Sequence, residues 1–525
     1  MNQESKKEYI LFFAVNTFIA FIGAIRIFYA TQWGVWAFSD SASYFSAARN
    51  LIQGQGMIIK KVAGGIDYYQ LFPPLYPIVL SVSGWLSKNY FTAARWINII
   101  SFGFFLLISG LVLFNQTKKP LISLIAPALL LVSPMMIADF TGAMTEPIFL
   151  MMMMFSFLVF SLLMKEPNIS HTLVFILAIS LMPITRYVGI VFIFTNFIFL
   201  ILFICKPLKM RILFSSIITF ISSIPILAWF FYLHNTTGRI GGRGFQINAS
   251  LAGNFFDGIK IVNDILKTFL PYNGLYENVV SANTRFIMLI AVFIFLIAAT
   301  IFILLKRPGR NKSNKISLYN YLLFPVNIIA FILFIGFSYS ITNRSYVIDH
   351  RQISPLIPMI IITSLLSFFI LFSALKFPLM PLNIGILCIY AVIFRYYFFT
   401  SGTLIRDLHE NGYGYTARQY QESGIIEAIK QIPSDTEIIS NVSGFILLHD
   451  NRLPIQVDQF HSHMYGSGVE YGESNFRKKR AALVLLRTDF NNYYGAQAEE
   501  LYTALTSGLE IAYQDKAGAI YYFPD

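Results

Sequence analysis

Apolar residues gather in eleven runs along the chain, beginning near Tyr9, Phe91, Pro120, Pro147, His171, Tyr187, Ile212, Thr284, Leu318, Gln352 and Pro378. A bilayer core about 30 Å thick takes about 20 apolar residues per helix, so each run predicts a membrane span. The runs at 171–184 and 187–205 are short, and Pro183 supports a break at Thr185–Arg186, since proline disrupts a helix interior. Two intervening segments, 31–89 and 234–283, are long. The first opens on an amphipathic stretch, Ser39 to Gln53, whose Tyr44, Ala47, Ala48 and Leu51 fall on one helical face. Its second half, "LFPPLYPIVLSVSGWLS", is apolar but short for a span and predicts a helix lying in the membrane interface. Loops of this length are functional or disordered, and their apolar content argues against disorder. After residue 400 the pattern changes. The strand-like runs "TEIIS", "AALVLL" and "AIYYF" follow the helical spacing of "SGIIEAIKQIP", predicting a small α/β domain over 401–525. The pattern therefore predicts a polytopic α-helical membrane protein, with a transmembrane part over 1–400 and an α/β domain after it.

Composition agrees: 56% of the 525 residues are hydrophobic and 13% charged, against about 45–50% and about 25% in soluble domains. A net charge of +12 suggests nucleic acid until the positions are read. The lysines and arginines sit in short clusters between apolar runs: Lys6–Lys7, Lys118–Lys119, Lys165, Lys206 to Arg211, Lys306 to Lys315 and Lys376. With the N-terminus in the cytoplasm every inner segment is basic, as the positive-inside rule requires, and nucleic acid is excluded as the reason for the charge. The opposite loops collect Asp40, Asp67, Asp139, Glu146, Asp257, Asp264 and Asp349. An odd span count then puts 401–525 outside the cytoplasm. No small-residue cleavage site follows the first run, which reads as a retained span. The two cysteines, Cys205 and Cys388, lie in or beside predicted spans and offer no disulfide framework.

Acids bordering a membrane on one side are the first candidates for chemistry. Asp40 opens the amphipathic helix, where the helix dipole keeps a carboxylate ionised. Such a group is placed to deprotonate a hydroxyl or bind a cation, or it simply caps the helix. "FSDSASYFSAARNLIQGQG", "FPPLYPIVLS" and "AARWINII", followed by "MTEPIFL", "TRYVGI" and "DHRQISPLIPMIII", occur in an order that resembles the GT-C glycosyltransferase superfamily. Protein O-mannosyltransferases and aminoarabinose lipid A transferases are nearest in pattern. "IKQIPSDTEIISNVSGFILLHDNRLPI" resembles the outer domain of many bacterial members, so the resemblance covers essentially the whole chain.

The resemblance implies transfer of a sugar from a polyprenyl-phosphate donor to an acceptor on the outer face of a bacterial or archaeal cell membrane, with inversion. Asp40 matches the first-loop acid, the general base that an unactivated hydroxyl requires. Many members carry two adjacent acids there, whereas here Ser41 follows Asp40, which puts a paired-carboxylate role in doubt. Asp139 and Glu146 in the next outer loop match a second acid of some members. Asp139 is alternatively a solvated loop residue and Glu146 a helix cap. Together with Asp40 they would suit a hard divalent cation, Mg²⁺ or Mn²⁺, although no spacing demands one. A leaving polyprenyl phosphate calls for cations. Arg186 and Arg351, at span entrances within matched motifs, lead a set that includes Arg49, Lys60, Lys61, Arg239, Arg243 and Arg344, with snorkelling to the headgroups as the alternative. "GRIGGRG" at 238–244 reads as a substrate-gating loop, His461 and His463 as loop residues, and Met151 to Met154 as lipid-facing packing. Arg26 either reaches the interface or pairs with an outer acid, and Asp67 either lines an acceptor entrance or sits in a turn. The acceptor, whether lipid, protein or polysaccharide, is not legible. Two classes compete: a transporter or flippase of lipid-linked glycans, whose expected repeats and midplane charges are missing from the sequence, and a non-catalytic scaffold whose outer domain binds envelope glycans, which leaves the long first loop unexplained.

Overall fold

A computed structural model describes residues 3–61, 65–204, 206–241, 251–268, 282–306, 318–341, 348–375, 379–457 and 481–522. Each of the eleven apolar runs coincides with a helix. The first seven are α1 (Gln3–Ala30), α4 (Tyr90–Thr117), α5 (Pro120–Val132), α7 (Glu146–Lys165), α8 (Ile169–Thr185), α9 (Ile190–Phe203) and α10 (Leu208–Thr237). Between α1 and α4 lie α2 (Ser39–Ile52) and α3 (Leu75–Ser87), and α6 (Pro134–Phe140) follows α5. Next come α11 (Leu251–Thr268), α12 (Ala282–Lys306), α13 (Leu318–Ile341), α14 (His350–Ile353), α15 (Leu356–Leu375) and α16 (Leu379–Asn411). Among the described residues, six helices are long and apolar enough to cross a membrane, or seven if the pair α5–α6, bent by 63°, counts as one span. Large apolar side chains such as Phe21 and Phe220, 61% and 67% exposed, cover the helices where lipid would replace water.

The break at Thr185–Arg186 is real. Arg186 is extended, a single 3₁₀ turn covers Tyr187–Gly189, and α9 starts at Ile190. A Cβ on Gly189 would stand 2.4 Å from the Met182 carbonyl carbon and 2.5 Å from the Pro183 nitrogen. The chain folds back on itself there, and only glycine fits.

Two polar side chains of α1 are tied across the bundle, as a low-dielectric interior favours. Asn16 on α1 donates to the Leu107 carbonyl on α4. Arg26 donates to the Ser401 hydroxyl on α16 and stacks near Phe398, which resolves its partner as neither a headgroup nor an acid. The methionine run is a second correction: Met153 and Met154 are fully buried, because half of α7 faces the bundle core.

The first long loop is folded. Strands β1 (Ile58–Lys60) and β2 (Ile66–Tyr68) form an antiparallel hairpin, and α3 packs on α2 and α4 with Trp85 and Leu86 exposed, as an interfacial helix requires. Asp67 sits in no turn: it is the middle residue of β2, paired with Ile59, and Lys61 meets it across the hairpin at 3.3 Å. The composition shift near residue 400 falls within α16, which runs on to Asn411.

Beyond it come α17 (Arg418–Gln421), α18 (Ile425–Lys430), β3 (Ile438–Ser440), α19 (Ser443–Asp450), β4 (Ile455–Gln456) and β5 (Ala482–Leu486). After them α20 (Arg487–Tyr494), α21 (Ala498–Thr506), β6 (Glu510–Gln514) and β7 (Gly518–Tyr522) complete the domain. The sheet order is β4-β3-β5-β7-β6, with β3 parallel to β4 and β5 and β7 antiparallel to both neighbours. This α/β domain sits directly on the first loop. Helix α19 packs on α2, the Leu453 amide donates to the Lys60 carbonyl, and the Tyr415 amide donates to the Ala37 carbonyl.

Candidate active site

Four helix ends converge beside α2, and each brings one charged side chain. Asp40 lies in the first turn of α2, Glu146 is the first residue of α7, Arg186 stands in the break between α8 and α9, and Arg351 lies on α14. The alternative of Asp40 as a cap fails. The cap residue is Phe38, whose amide donates to the Ser41 hydroxyl, and the Asp40 carboxylate faces Arg351 at 3.4 Å. Glu146 likewise turns to Arg186, at 2.5 Å, and accepts from the Thr145 hydroxyl. Neither arginine snorkels. Arg186 is 14% exposed at its side chain and also donates to the Arg351 carbonyl, and Arg351 is gripped by Asp349 through Nε and Nη2 at 2.7 Å.

Two cavities meet at this cluster. One, of about 390 Å³, is walled by Phe72, Phe230, Phe334 and Ile341, with Glu146, Arg186 and Tyr44 among its polar lining. The other, of about 600 Å³, is lined by Trp36, Phe38, Asp349, Asp407 and Tyr413. Asp40 and Arg351 line both. A carboxylate 37% exposed at its side chain, set between two chambers beside a guanidinium, can take a proton from a group in one while the guanidinium meets an anion in the other.

Tyr44 and Asp349 were not singled out by sequence as site residues. Tyr44 follows Asp40 by one helical turn on the same face, and Asp349 precedes Arg351 by two residues; those spacings were the available signal. Burial, reinforced by Asp40 and Glu146, raises the Tyr44 phenol well above its ordinary range, so it serves as a hydrogen-bond donor in neutral form.

Other expected site residues lie elsewhere. Arg49 donates to the Leu448 carbonyl and packs over Phe45 and Tyr90, so it fastens the α/β domain to α2 instead of facing a phosphate. Lys60 is a strand residue whose carbonyl accepts from Leu453, and its side chain lines neither cavity. Ile240 and Gly241 of the glycine-rich stretch reach the smaller cavity. Arg243, Arg344, His461 and His463 lie outside the described residues.

Asp139 is no solvated loop residue. It is 1% exposed within α6, and the nearby Ser354 hydroxyl donates to the Arg351 carbonyl at 2.9 Å. Neither of its carboxylate oxygens makes a hydrogen bond of ordinary geometry. The bend between α5 and α6 carries Asp139 inward. Among the described residues no three His, Cys, Asp or Glu side chains form a group able to hold a metal. Glu146 and Asp40 are engaged by arginines, so the three acids do not assemble into the cation set that the sequence suggested.

No protein-family model matches the chain, and no curated protein matches it by sequence. Its fold does match solved structures. ArnT from Cupriavidus metallidurans bound to undecaprenyl phosphate superposes with a TM-score of 0.53 at 15% identity, over 98% of this chain and 97% of the other. The archaeal oligosaccharyltransferase AglB from Archaeoglobus fulgidus, in complex with an inhibitory peptide and a dolichol-phosphate, gives 0.53 at 13% identity, over 99% of this chain and 74% of the other. The apo oligosaccharyltransferase of the same organism gives 0.54 at 12% identity, over 98% and 74%. The polytopic helical fold with an α/β domain after it is thus shared with these structures over nearly the whole chain.

Proposed function

We propose that this chain, built on the fold it shares with ArnT and AglB, is a membrane glycosyltransferase. It takes a sugar from a polyprenyl-phosphate donor and passes it, with inversion, to an acceptor hydroxyl. One observation carries the reading: Asp40 and Arg351, 3.4 Å apart, form the common wall of two cavities of different chemistry. The smaller cavity, with its apolar walls and Arg186, suits a prenyl phosphate; ArnT was solved bound to undecaprenyl phosphate and AglB in complex with a dolichol-phosphate. The larger cavity receives the acceptor.

In the reaction, Asp40 removes the acceptor proton as the oxygen attacks the anomeric carbon, and the sugar–phosphate bond breaks on the opposite side. The electron pair leaves on the phosphate oxygen. Arg351 and Arg186 are placed to meet the charge that develops there, with Tyr44 as a neutral donor nearby. Glu146 keeps Arg186 in position, and Asp349 does the same for Arg351. Residues 401–525 form an extracytoplasmic domain over a catalytic part that ends near residue 400, in a cell membrane whose inner loops are the basic ones. Purified protein given polyprenyl-phosphate sugars should release polyprenyl phosphate; movement of intact donor across a vesicle bilayer without release would replace this reading by the flippase.

A further inference from the structure

The two cavities differ in charge, and the difference bears on what the larger one accepts. Its lining carries three carboxylates, Asp40, Asp349 and Asp407, against a single guanidinium, that of Arg351. That guanidinium is committed to Asp349 at 2.7 Å and faces Asp40 at 3.4 Å, and no lysine or second arginine is among the described lining residues. Asp407 accepts from the Asn411 side-chain amide at 2.8 Å, and His350 and Tyr413 are the other titratable side chains among the described lining residues.

The same lining carries three aromatic rings. Tyr413 meets Trp36 and Phe38 edge to face at 6.3 and 5.3 Å, and the Trp36 indole donates to the Ala138 carbonyl at 3.0 Å. Aromatic rings and carboxylates lining one chamber take a sugar ring well. The apolar C–H face of the ring lies on the aromatics while its hydroxyls donate to the acids. A phosphate or carboxylate there would find like charges and, among the described lining residues, no uncommitted cation, a repulsive element that discriminates as well as an attraction does.

Resting on the glycosyl-transfer reading above, we infer that the acceptor is a saccharide hydroxyl bearing no phosphate or carboxylate beside it, held in the larger cavity by the rings of Trp36, Phe38 and Tyr413 and the carboxylates of Asp349 and Asp407. The chain would then extend or decorate a neutral or amine-bearing glycan rather than modify an anionic headgroup.

The test uses full-length protein in nanodiscs of zwitterionic lipid, with hexyl β-lactoside and its 6′-phosphate as probes, each with and without Mg²⁺. Tryptophan fluorescence should report lactoside binding at least tenfold tighter than that of the phosphate. Trp36→Phe should lose the signal, and Asp407→Lys, at an exposed position, should narrow the difference. Phosphate binding as tight as lactoside binding, in either condition, or no lactoside binding at all, overturns the inference. Slow release of polyprenyl phosphate from donor in water alone is measured in parallel. Release together with phosphate preference rejects the acceptor class but keeps the transferase, whereas absence of release with every probe rejects the transferase reading itself.

Discussion

Among the side chains at the site, the Glu146–Arg186 pair makes the clearest energetic statement, because both partners are nearly inaccessible, at 6% and 14% exposed. Removing one member of a buried pair strands the other and costs about 3–5 kcal/mol, while removing both costs much less. Glu146→Gln and Arg186→Met should each lower the thermal midpoint in detergent, with the double substitution regaining most of the loss; additive losses would show that the pair is not coupled. His449 makes a second prediction. It is half-buried on α19, its Nε2 donates to the Tyr415 carbonyl at 3.0 Å, and desolvation of the ring lowers its pKa to about 4. An unfolded histidine titrates near 6.5. The folded value is the lower one, so nothing is lost above about pH 6.5, and stability falls as the pH drops from there towards 4. The loss reaches about 3 kcal/mol for a 2.5-unit difference. His449→Gln should flatten acid unfolding over that window, as followed by circular dichroism; an unchanged slope would place the acid sensitivity elsewhere.

Between helices, the decisive feature is the tight reversal at Arg186. Gly189→Ala must push a Cβ into the backbone of Met182 and Pro183, a strain of about 1–3 kcal/mol that displaces the arginine three residues away. The expected result is a lower melting temperature together with weaker binding of polyprenyl phosphate; wild-type values for both would mean the turn relaxes without cost. This reversal was legible in the sequence, since Pro183 and Arg186 interrupt an apolar run. So were Asp40, Glu146 and Arg351, because charged residues at span ends stand out against apolar surroundings. Arg49 and Asp139 were not legible for one shared reason. Hydropathy assigns both to loops, whereas their surroundings are set by distant chain: Leu448 of the α/β domain meets Arg49, and the 63° bend at α5–α6 buries Asp139. Asp349 is legible as an outer acid but not as the partner of Arg351, because a carboxylate oxygen held by two nitrogens of a neighbouring arginine leaves no periodic signature.

For the molecule as a whole, the α/β domain and the cluster around Asp40 share one end of the bundle, tied by the contact of α19 with α2 and by the Tyr415 amide on the Ala37 carbonyl. Gly414 lies there at φ +63°, where a Cβ would stand 2.4 Å from that same carbonyl. Given the basic segments at the other end, a cysteine replacing exposed Tyr493 should react with an impermeant maleimide in intact cells, and one replacing Lys119 should not. The reverse pattern would invert the topology. The central claim, that Asp40 takes the acceptor proton, is tested most directly by Asp40→Asn, which removes the base but leaves Arg351 its bidentate partner Asp349. With donor and acceptor present, the variant should bind polyprenyl phosphate and melt as wild type does while transferring sugar at least about a hundredfold more slowly. Transfer at the wild-type rate would contradict the account.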